Sequence, residues 1–247
     1  MSELFRLILI KQLPLDKINI KRSVVNMKRL LVLLAVVVMF SQFLFAAENI
    51  YVYKETTGKT SIISEWRVIS QDGGYLVTIE GPVEGPIEYH RALCNEDFAT
   101  ISWEYKNTEA KTEVLAKREG NRILVNGKLK DKQISKVYEI NDLPWFEIAE
   151  VSLSRFAQAG EEKVEFWSLR PTDLKLYKMV AIRQDTEIIK ENGQDVETVQ
   201  IKVTVPGFAS LFWSVKYWFR KSDGVYIRYE GVRGGPGTPK TIVELIK

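Results

Sequence analysis

One cysteine, Cys94, and one histidine, His90, are all that 247 residues contain of the side chains most used as soft metal ligands and as nucleophile–base pairs. A lone cysteine excludes a disulfide within the chain, so the fold must stand on its core. It also excludes the cysteine-rich zinc patterns. No glycine-rich phosphate loop opens a helix, and no Gly-x-Ser-x-Gly elbow occurs. Long runs of one charge sign are missing as well, which removes the electrostatic footprint expected for nucleic acid or anionic headgroups. No low-complexity linker, internal repeat or composition shift divides the chain into several domains.

What is present near the start is an export pattern that begins at Met27: Lys28-Arg29, the apolar run Leu30 to Phe40, then Leu44-Phe45-Ala46-Ala47. A basic leader, a short hydrophobic stretch and small residues at its end are what a signal peptidase reads. Residues 1–26 are taken as an upstream extension outside the fold, 27–47 as the signal, and 48–247 as one domain. The alternative is that the segment stays in the membrane as an anchor, but its uninterrupted core is shorter than the roughly 20 residues that a spanning helix needs. No cysteine follows it, so lipid attachment is not expected. Removing residues 1–47 takes seven of the 35 Lys and Arg and two of the 32 Asp and Glu, leaving 28 against 30. The basic balance disappears, and a periplasmic or secreted location is expected.

Turn pairs punctuate the remainder: Asp72-Gly73-Gly74, Gly120-Asn121, Asn126-Gly127, Asn192-Gly193 and Asp223-Gly224, each between β-branched and aromatic segments. Such pairs tolerate the positive φ of tight hairpins. Strands are expected at 50–54, 61–70, 74–81, 86–94, 98–106, 112–118, 121–126, 133–140, 163–170, 175–184, 186–191, 195–205, 210–221, 224–232 and 239–246. One segment departs from this pattern. Asn141-Asp142, Leu143-Pro144 and a terminal Gly160 punctuate a single helix of about four turns through Ala159. The fold class is therefore all-β with one main helix, a curved antiparallel sheet or incomplete β-barrel.

The run from Phe208 to Arg220 is the densest aromatic stretch. Strand alternation sets Leu211, Trp213, Val215, Tyr217 and Phe219 on one face and Phe212, Ser214, Lys216, Trp218 and Arg220 on the other. The first face is a candidate core surface or, with helix residues Trp145 and Phe156, a wall for an apolar ligand. Phe212 and Trp218 on the second are candidates for a partner surface.

His90 lies in Glu88-Tyr89-His90-Arg91-Ala92-Leu93-Cys94, where Glu88, His90 and Cys94 share a strand face. Residues four apart on a strand lie about 13 Å apart, too far for a base to activate a thiol. Glu88 and His90 supply at most two metal ligands, so Cys94 is read as structural and no metal or cofactor is expected. Carboxylates such as Glu161-Glu162, Glu187 and Glu191 show no spacing that singles out an acid and a nucleophile. Gly231 to Pro239 reads as a loop that joins the last two strands and can meet a ligand.

The stretch Trp218-Phe219-Arg220-Lys221-Ser222-Asp223-Gly224-Val225-Tyr226-Ile227-Arg228-Tyr229-Glu230-Gly231 resembles a family of uncharacterised exported bacterial proteins known only as a domain of unknown function. The resemblance covers the C-terminal third and implies a curved sheet like that of periplasmic lipoprotein carriers, with an envelope role and no catalytic residue. The chain departs from such carriers in having one clear helix where they use more lid.

These readings define an exported envelope protein, non-catalytic, that holds a lipid or acyl group in a concave sheet. The ligand-binding candidates are Trp103, Trp145, Phe156, Trp167, Trp213 and Tyr217. One alternative is a structural or protein-interaction module of the envelope that docks another protein. Another is a carboxylate-based envelope hydrolase.

Overall fold

A computed structural model describes residues 47–85, 87–233 and 237–247. The readings made for residues 1–46, the export signal included, and for residues 234–236 of the last loop lie outside the described residues. Strands β1 to β8 are Glu48–Thr57, Thr60–Gln71, Gly74–Gly81, Glu88–Asn95, Thr100–Asn107, Thr112–Glu119, Arg122–Leu129 and Lys132–Glu139. Two short helices follow, α1 (Ala149–Ser152) and α2 (Ser154–Ala159). Strands β9 to β14 are Lys163–Arg170, Lys175–Glu191, Gln194–Thr204, Ser214–Arg220, Tyr226–Gly231 and Thr241–Leu245. Among the described residues no helix is long and apolar enough to cross a membrane.

All 14 strands join one antiparallel sheet in the order β8-β7-β6-β5-β4-β3-β2-β1-β14-β13-β12-β11-β10-β9. Each strand pairs with its neighbour in sequence except at β8 and β9, and β1 pairs with β14 from Tyr53↔Leu245 to Thr57↔Thr241. The order is thus cyclic with one break, and the expected incomplete barrel is what forms. β8 and β9 are its free edges. Free edges leave unpaired backbone groups that recruit other chains unless covered. Here the linking segment covers part of β9: the Phe146 N–H donates to the Trp167 carbonyl at 2.9 Å, and the Trp167 N–H to the Pro144 carbonyl at 2.8 Å. Across the gap, the Tyr138 hydroxyl of β8 donates to the Leu174 carbonyl in the β9–β10 turn.

Period-two alternation decides which side chains point inward. In β6 the burial pattern alternates through Thr112, Val114 and Ala116 inside against Glu113, Leu115 and Lys117 outside. One inner row runs Val77, Ala92, Trp103, Ala116 and Val125, each wholly buried. Trp103 fits because both of its lateral neighbours, Ala92 and Ala116, carry only a methyl group. A row further on, Tyr53, Trp66, Tyr217, Phe219 and Tyr226 pack ring against ring with centroids 4.7–6.4 Å apart. Aromatic pairs at these spacings add attraction beyond area burial.

Four expectations need correction. The Asn126-Gly127 pair is not a turn: it lies inside β7, and the β7–β8 hairpin turns at Lys130-Asp131, both at positive φ. The helix is not continuous over 143–159: residues 144–146 are committed to the edge of β9, and helix begins only at Ala149, with a joint at Leu153. The expected strands 175–184 and 186–191 are one strand, β10, carrying a bulge between Arg183 and Thr186. The strand expected from residue 210 starts only at Ser214, because Gly207–Leu211 forms a 3-10 turn. Val215, Tyr217 and Phe219 are buried as the alternation requires, whereas Leu211 lies outside the strand and is 72% exposed.

Candidate functional site

The two ends of the barrel differ. At one end the helical segment packs across the opening: the Ser152 hydroxyl donates to the Phe98 carbonyl at 2.8 Å, and Gly224 sits tightly against Gln158 and Ser154 of α2. At the other end β1 finishes and β14 begins, and here the inner face turns polar. Cross-strand pairing puts Glu55 of β1 on the same side as Tyr53, and Glu88 and His90 of β4 on the same side as Ala92. Above them the loop after β13 delivers Arg233, whose Nη1 donates to Glu55 Oε2 at 2.7 Å.

These inward-facing groups are in contact with water. Glu88 and Arg233 each have 45% of the side chain exposed, whereas Trp103, one row deeper, has none. The end is therefore a mouth, wet at its lip and sealed by aromatic rings beneath. His90 joins the two zones. Trp103 Nε1–H donates to His90 Nδ1 at 3.2 Å, so Nδ1 must be an acceptor and Nε2 carries the proton that faces Glu88 Oε1 at 3.3 Å. The two hydrogen bonds fix the orientation of the ring between the core and the lip. Burial raises the Glu88 carboxyl, but the hydrogen bonds from His90 and Tyr105 and the charge of Arg233 outweigh it and hold the group below the usual carboxylate range. Arg233 loses solvation among the barrel walls, yet Glu55 and Glu150 keep it firmly charged.

Glu150 lies on α1 and is partly buried. Burial pushes its carboxyl up, and the charge of Arg233 only partly offsets that. Its own charge in turn reaches Tyr217, Tyr226 and Tyr229, whose hydroxyls burial has already driven upward, Tyr229 to about 12. A second enclosed carboxyl, Glu147, sits in the linking segment. Its Oε2 accepts from Trp145 Nε1 at 2.8 Å and from the Leu169 N–H at 2.9 Å, and burial pushes it to about 8.

The six aromatic ligand candidates do not line one wall. Trp103 and Trp145 are wholly buried, and Phe156 and Tyr217 are 6% and 8% exposed, so these four are core as the chain stands. Trp145 bridges to Trp167, which is half-buried and bonded through Nε1 to Asn141 Oδ1 at 2.8 Å. Trp213 is half-buried, and its Nε1 donates to the Val232 carbonyl at 3.2 Å, tying the 205–213 loop to the loop that carries Arg233. Of the six, Trp213 is the one tied to the loop at the mouth.

The partner-surface candidates divide. Phe212 is 76% exposed beside the equally exposed Phe208, with ring centroids 5.5 Å apart at the mouth. Trp218 is 5% exposed and is not a docking residue. The bulge in β10 brings Glu187 alongside it, whose carboxylate accepts from Trp218 Nε1 at 3.0 Å and from Gln200 Nε2 at 2.6 Å, while Arg228 and Lys216 lie 5.7 and 5.9 Å from its ring. An outward face is not an exposed face once a bulge folds polar side chains over it.

Cys94 is buried, with its thiol pushed up to about 12 by burial, as a structural cysteine should be. At the end opposite the mouth, an open dish of about 450 Å³ is bordered by Glu197, Arg220 and Lys221. Its charges are already matched, Lys221 to Glu197 and Arg220 to Asp223 and Glu191, so it offers a ligand little.

Sequence reasoning missed Glu55, Glu150, Arg233 and Tyr226. A signal existed for Glu55, since its parity places it on the face of Tyr51 and Tyr53, where a charge is out of pattern. Loop and helix residues such as Arg233 and Glu150 carried none.

The fold is of the β-barrel-like kind. The chain is similar to the crystal structure of a beta-barrel-like protein of domain of unknown function DUF1849 from Brucella abortus, at 10% identity over 82% of this chain and 97% of that one, with a TM-score of 0.56. At this identity the likeness shows a shared fold. The hypothetical lipoprotein YmcC from Escherichia coli matches at 11% identity over 86% and 96% of the two chains, with a TM-score of 0.37. No protein-family model matches the chain, and no curated protein does.

Proposed function

We propose that this is a non-catalytic envelope protein, exported by the Met27 signal, which binds an amphipathic ligand at the open mouth of its barrel. The observation that carries the reading is that exposed apolar side chains stand at the same end of the barrel as the charged groups Glu55, Glu88 and Arg233. Phe208, Leu211 and Phe212 are each more than 70% exposed on the 205–213 loop, and Val83 is 53% exposed in the turn after β3, at the same end as Glu55 and Arg233. A polar group meets these charges, and its apolar portion meets this rim, so burial supplies the affinity and the charges the selectivity. The deep aromatic core, filled by its own rings, takes no part.

The test is delipidated protein titrated with a panel of lipids and detergents below their micelle concentrations, read by tryptophan emission and thermal midpoint. Trp213 at the rim is expected to shift to the blue on binding. Flat responses in both readouts across the panel would remove the proposal. The exposed Phe208–Phe212 pair also favours a second reading, a protein-interaction module of the envelope. It predicts that Phe208→Ser with Phe212→Ser abolishes capture of a defined partner while lipid titrations of the wild type stay flat.

A further inference from the structure

Of the two free edges, β9 is partly sheltered by the linking segment, whereas β8 pairs on one side only. The turn between β7 and β8 is two residues long and closes on the Leu129↔Lys132 pair. In such a hairpin the closing pair is hydrogen-bonded, and bonded pairs recur at every second residue. Lys132, Ile134, Lys136 and Tyr138 therefore direct their backbone groups to β7, as the Ile140 N–H does to the Asn121 carbonyl at 2.9 Å. Gln133, Ser135, Val137 and Glu139 aim theirs away from the sheet, and among the described residues nothing hydrogen-bonds them. Water reaches round this border. Lys136 and Tyr138 are half-buried, whereas their partners on β7, Val125 and Ile123, are wholly buried.

Two features of the border define what fits it. Beside the free backbone groups the outer side is apolar: Val137 is 56% exposed opposite Leu124, and Leu115, diagonal to Leu124, is 54% exposed. The charge there is of one sign. Nearby Lys111 and Lys117 are matched to Asp131 and Glu119 at 3.2 Å each, but among the described residues no carboxylate lies within ion-pair distance of Lys128, Lys130, Lys132 or Lys136. Glu139, the one acidic residue of β8, stands opposite Arg122. Lys132 and Lys136 share the inner side of the strand, and the Lys136 ammonium finds only the Asp173 carbonyl, at 3.5 Å. Lysines at an edge repel a second copy, which would bring the same lysines to the seam, and select a strand that carries carboxylates.

We propose that β8 is a docking edge for an extended, acidic segment of another polypeptide, which adds to the sheet as one more strand. The backbone of that segment pairs with Gln133, Ser135, Val137 and Glu139. Its inward carboxylates meet Lys132 and Lys136, and its outward β-branched side chains lie against Val137. The edge is separate from the mouth and needs no ligand there.

The experiment is an NMR titration of the full chain, read at the backbone amides of β8. The probes are the end-blocked peptide Val-Glu-Thr-Val-Thr-Glu, its counterpart Val-Lys-Thr-Val-Thr-Lys, and Val-Glu-Pro-Val-Pro-Glu, whose prolines remove two ladder donors. In the free protein the Ser135 and Val137 amides should exchange rapidly with solvent, and the acidic peptide should slow them. It should bind at least about fivefold tighter than the lysine peptide, since two opposite-charge cross-strand pairs replace two like-charge ones. The proline peptide should not bind. Val137→Pro should abolish binding and keep the fold, because the N–H it removes faces the border and not β7. Lys132→Glu with Lys136→Glu should reverse the order of the acidic and lysine peptides, a test that stands even if Val137→Pro unfolds. Absence of binding by the acidic peptide at millimolar concentration overturns the proposal, as does an order of affinities that charge reversal leaves unmoved. Ser135 and Val137 amides that are protected in the free chain also overturn it. If that protection is lost as a dimer dissociates in sedimentation, the occupant is a second copy and the acidic partner falls.

Discussion

Replacing Glu147 with glutamine should turn a pH-dependent stability into one that no longer responds to this site. The carboxyl titrates near 8 in the folded protein against 4.5 in the open chain, because burial disfavours its charged form. A raised carboxyl binds its proton more tightly when folded, so its contribution is complete below pH 4.5 and is lost as pH climbs toward 8. The 3.5-unit difference at about 1.4 kcal/mol per unit gives about 5 kcal/mol. The residue retains partial solvent contact, so screening reduces this to about 2–3 kcal/mol. Glutamine imitates the protonated acid, and its carbonyl still accepts from Trp145 and the Leu169 N–H. Wild type and Glu147→Gln should therefore match at pH 5 and separate steadily to pH 8, with the variant more stable. For a domain of this size the gap at pH 8 corresponds to about 5–10 °C in thermal midpoint. Comparing the two proteins cancels every other titrating group. Urea and thermal unfolding at pH 5, 6, 7 and 8 supply the measurement, and parallel curves across that window would refute the account of Glu147.

Two further expectations concern packing. Trp218→Ala should cost about 3 kcal/mol in chemical unfolding, because it empties a site closed by Glu187, Gln200 and Arg228; a loss under 1 kcal/mol would mean that the site is not closed in solution. Ala116→Leu should destabilise by about 1–3 kcal/mol, since the added carbons enter the space that the Trp103 indole occupies. Near-ultraviolet circular dichroism of that variant should show the Trp103 signal altered.

The strand pattern was legible because hairpin turns and period-two alternation are local properties, and the Gly73, Asn121, Asn192 and Gly193 turns fall where the Asp-Gly and Asn-Gly pairs stand. The helical segment was legible in kind and not in extent. Asn141 and Pro144 look like helix punctuation, but Pro144 and Phe146 are taken by the free edge of β9, a demand that arises only once the sheet exists. Trp218 shows the same limit at a surface. Alternation assigns it outward correctly, and only the bulge between Arg183 and Thr186 decides that Glu187 will cover it. At the mouth, Glu88 and His90 were visible as a same-face pair, whereas Arg233 reaches Glu55 from a loop whose position no spacing encodes.

The seam between β1 and β14 has a bearing on how the molecule is made. Without the five-residue β14 the sheet separates into an eight-strand piece, β1 to β8, and a five-strand piece, β9 to β13, which nothing in the pairing order joins. Their union waits for β14, the strand last in chain order, a long-range step of the kind that slows folding. Any polypeptide halted before Thr241 would display two raw, sticky strand borders at once. Cellular quality control would thus meet a sharp distinction between finished and unfinished copies.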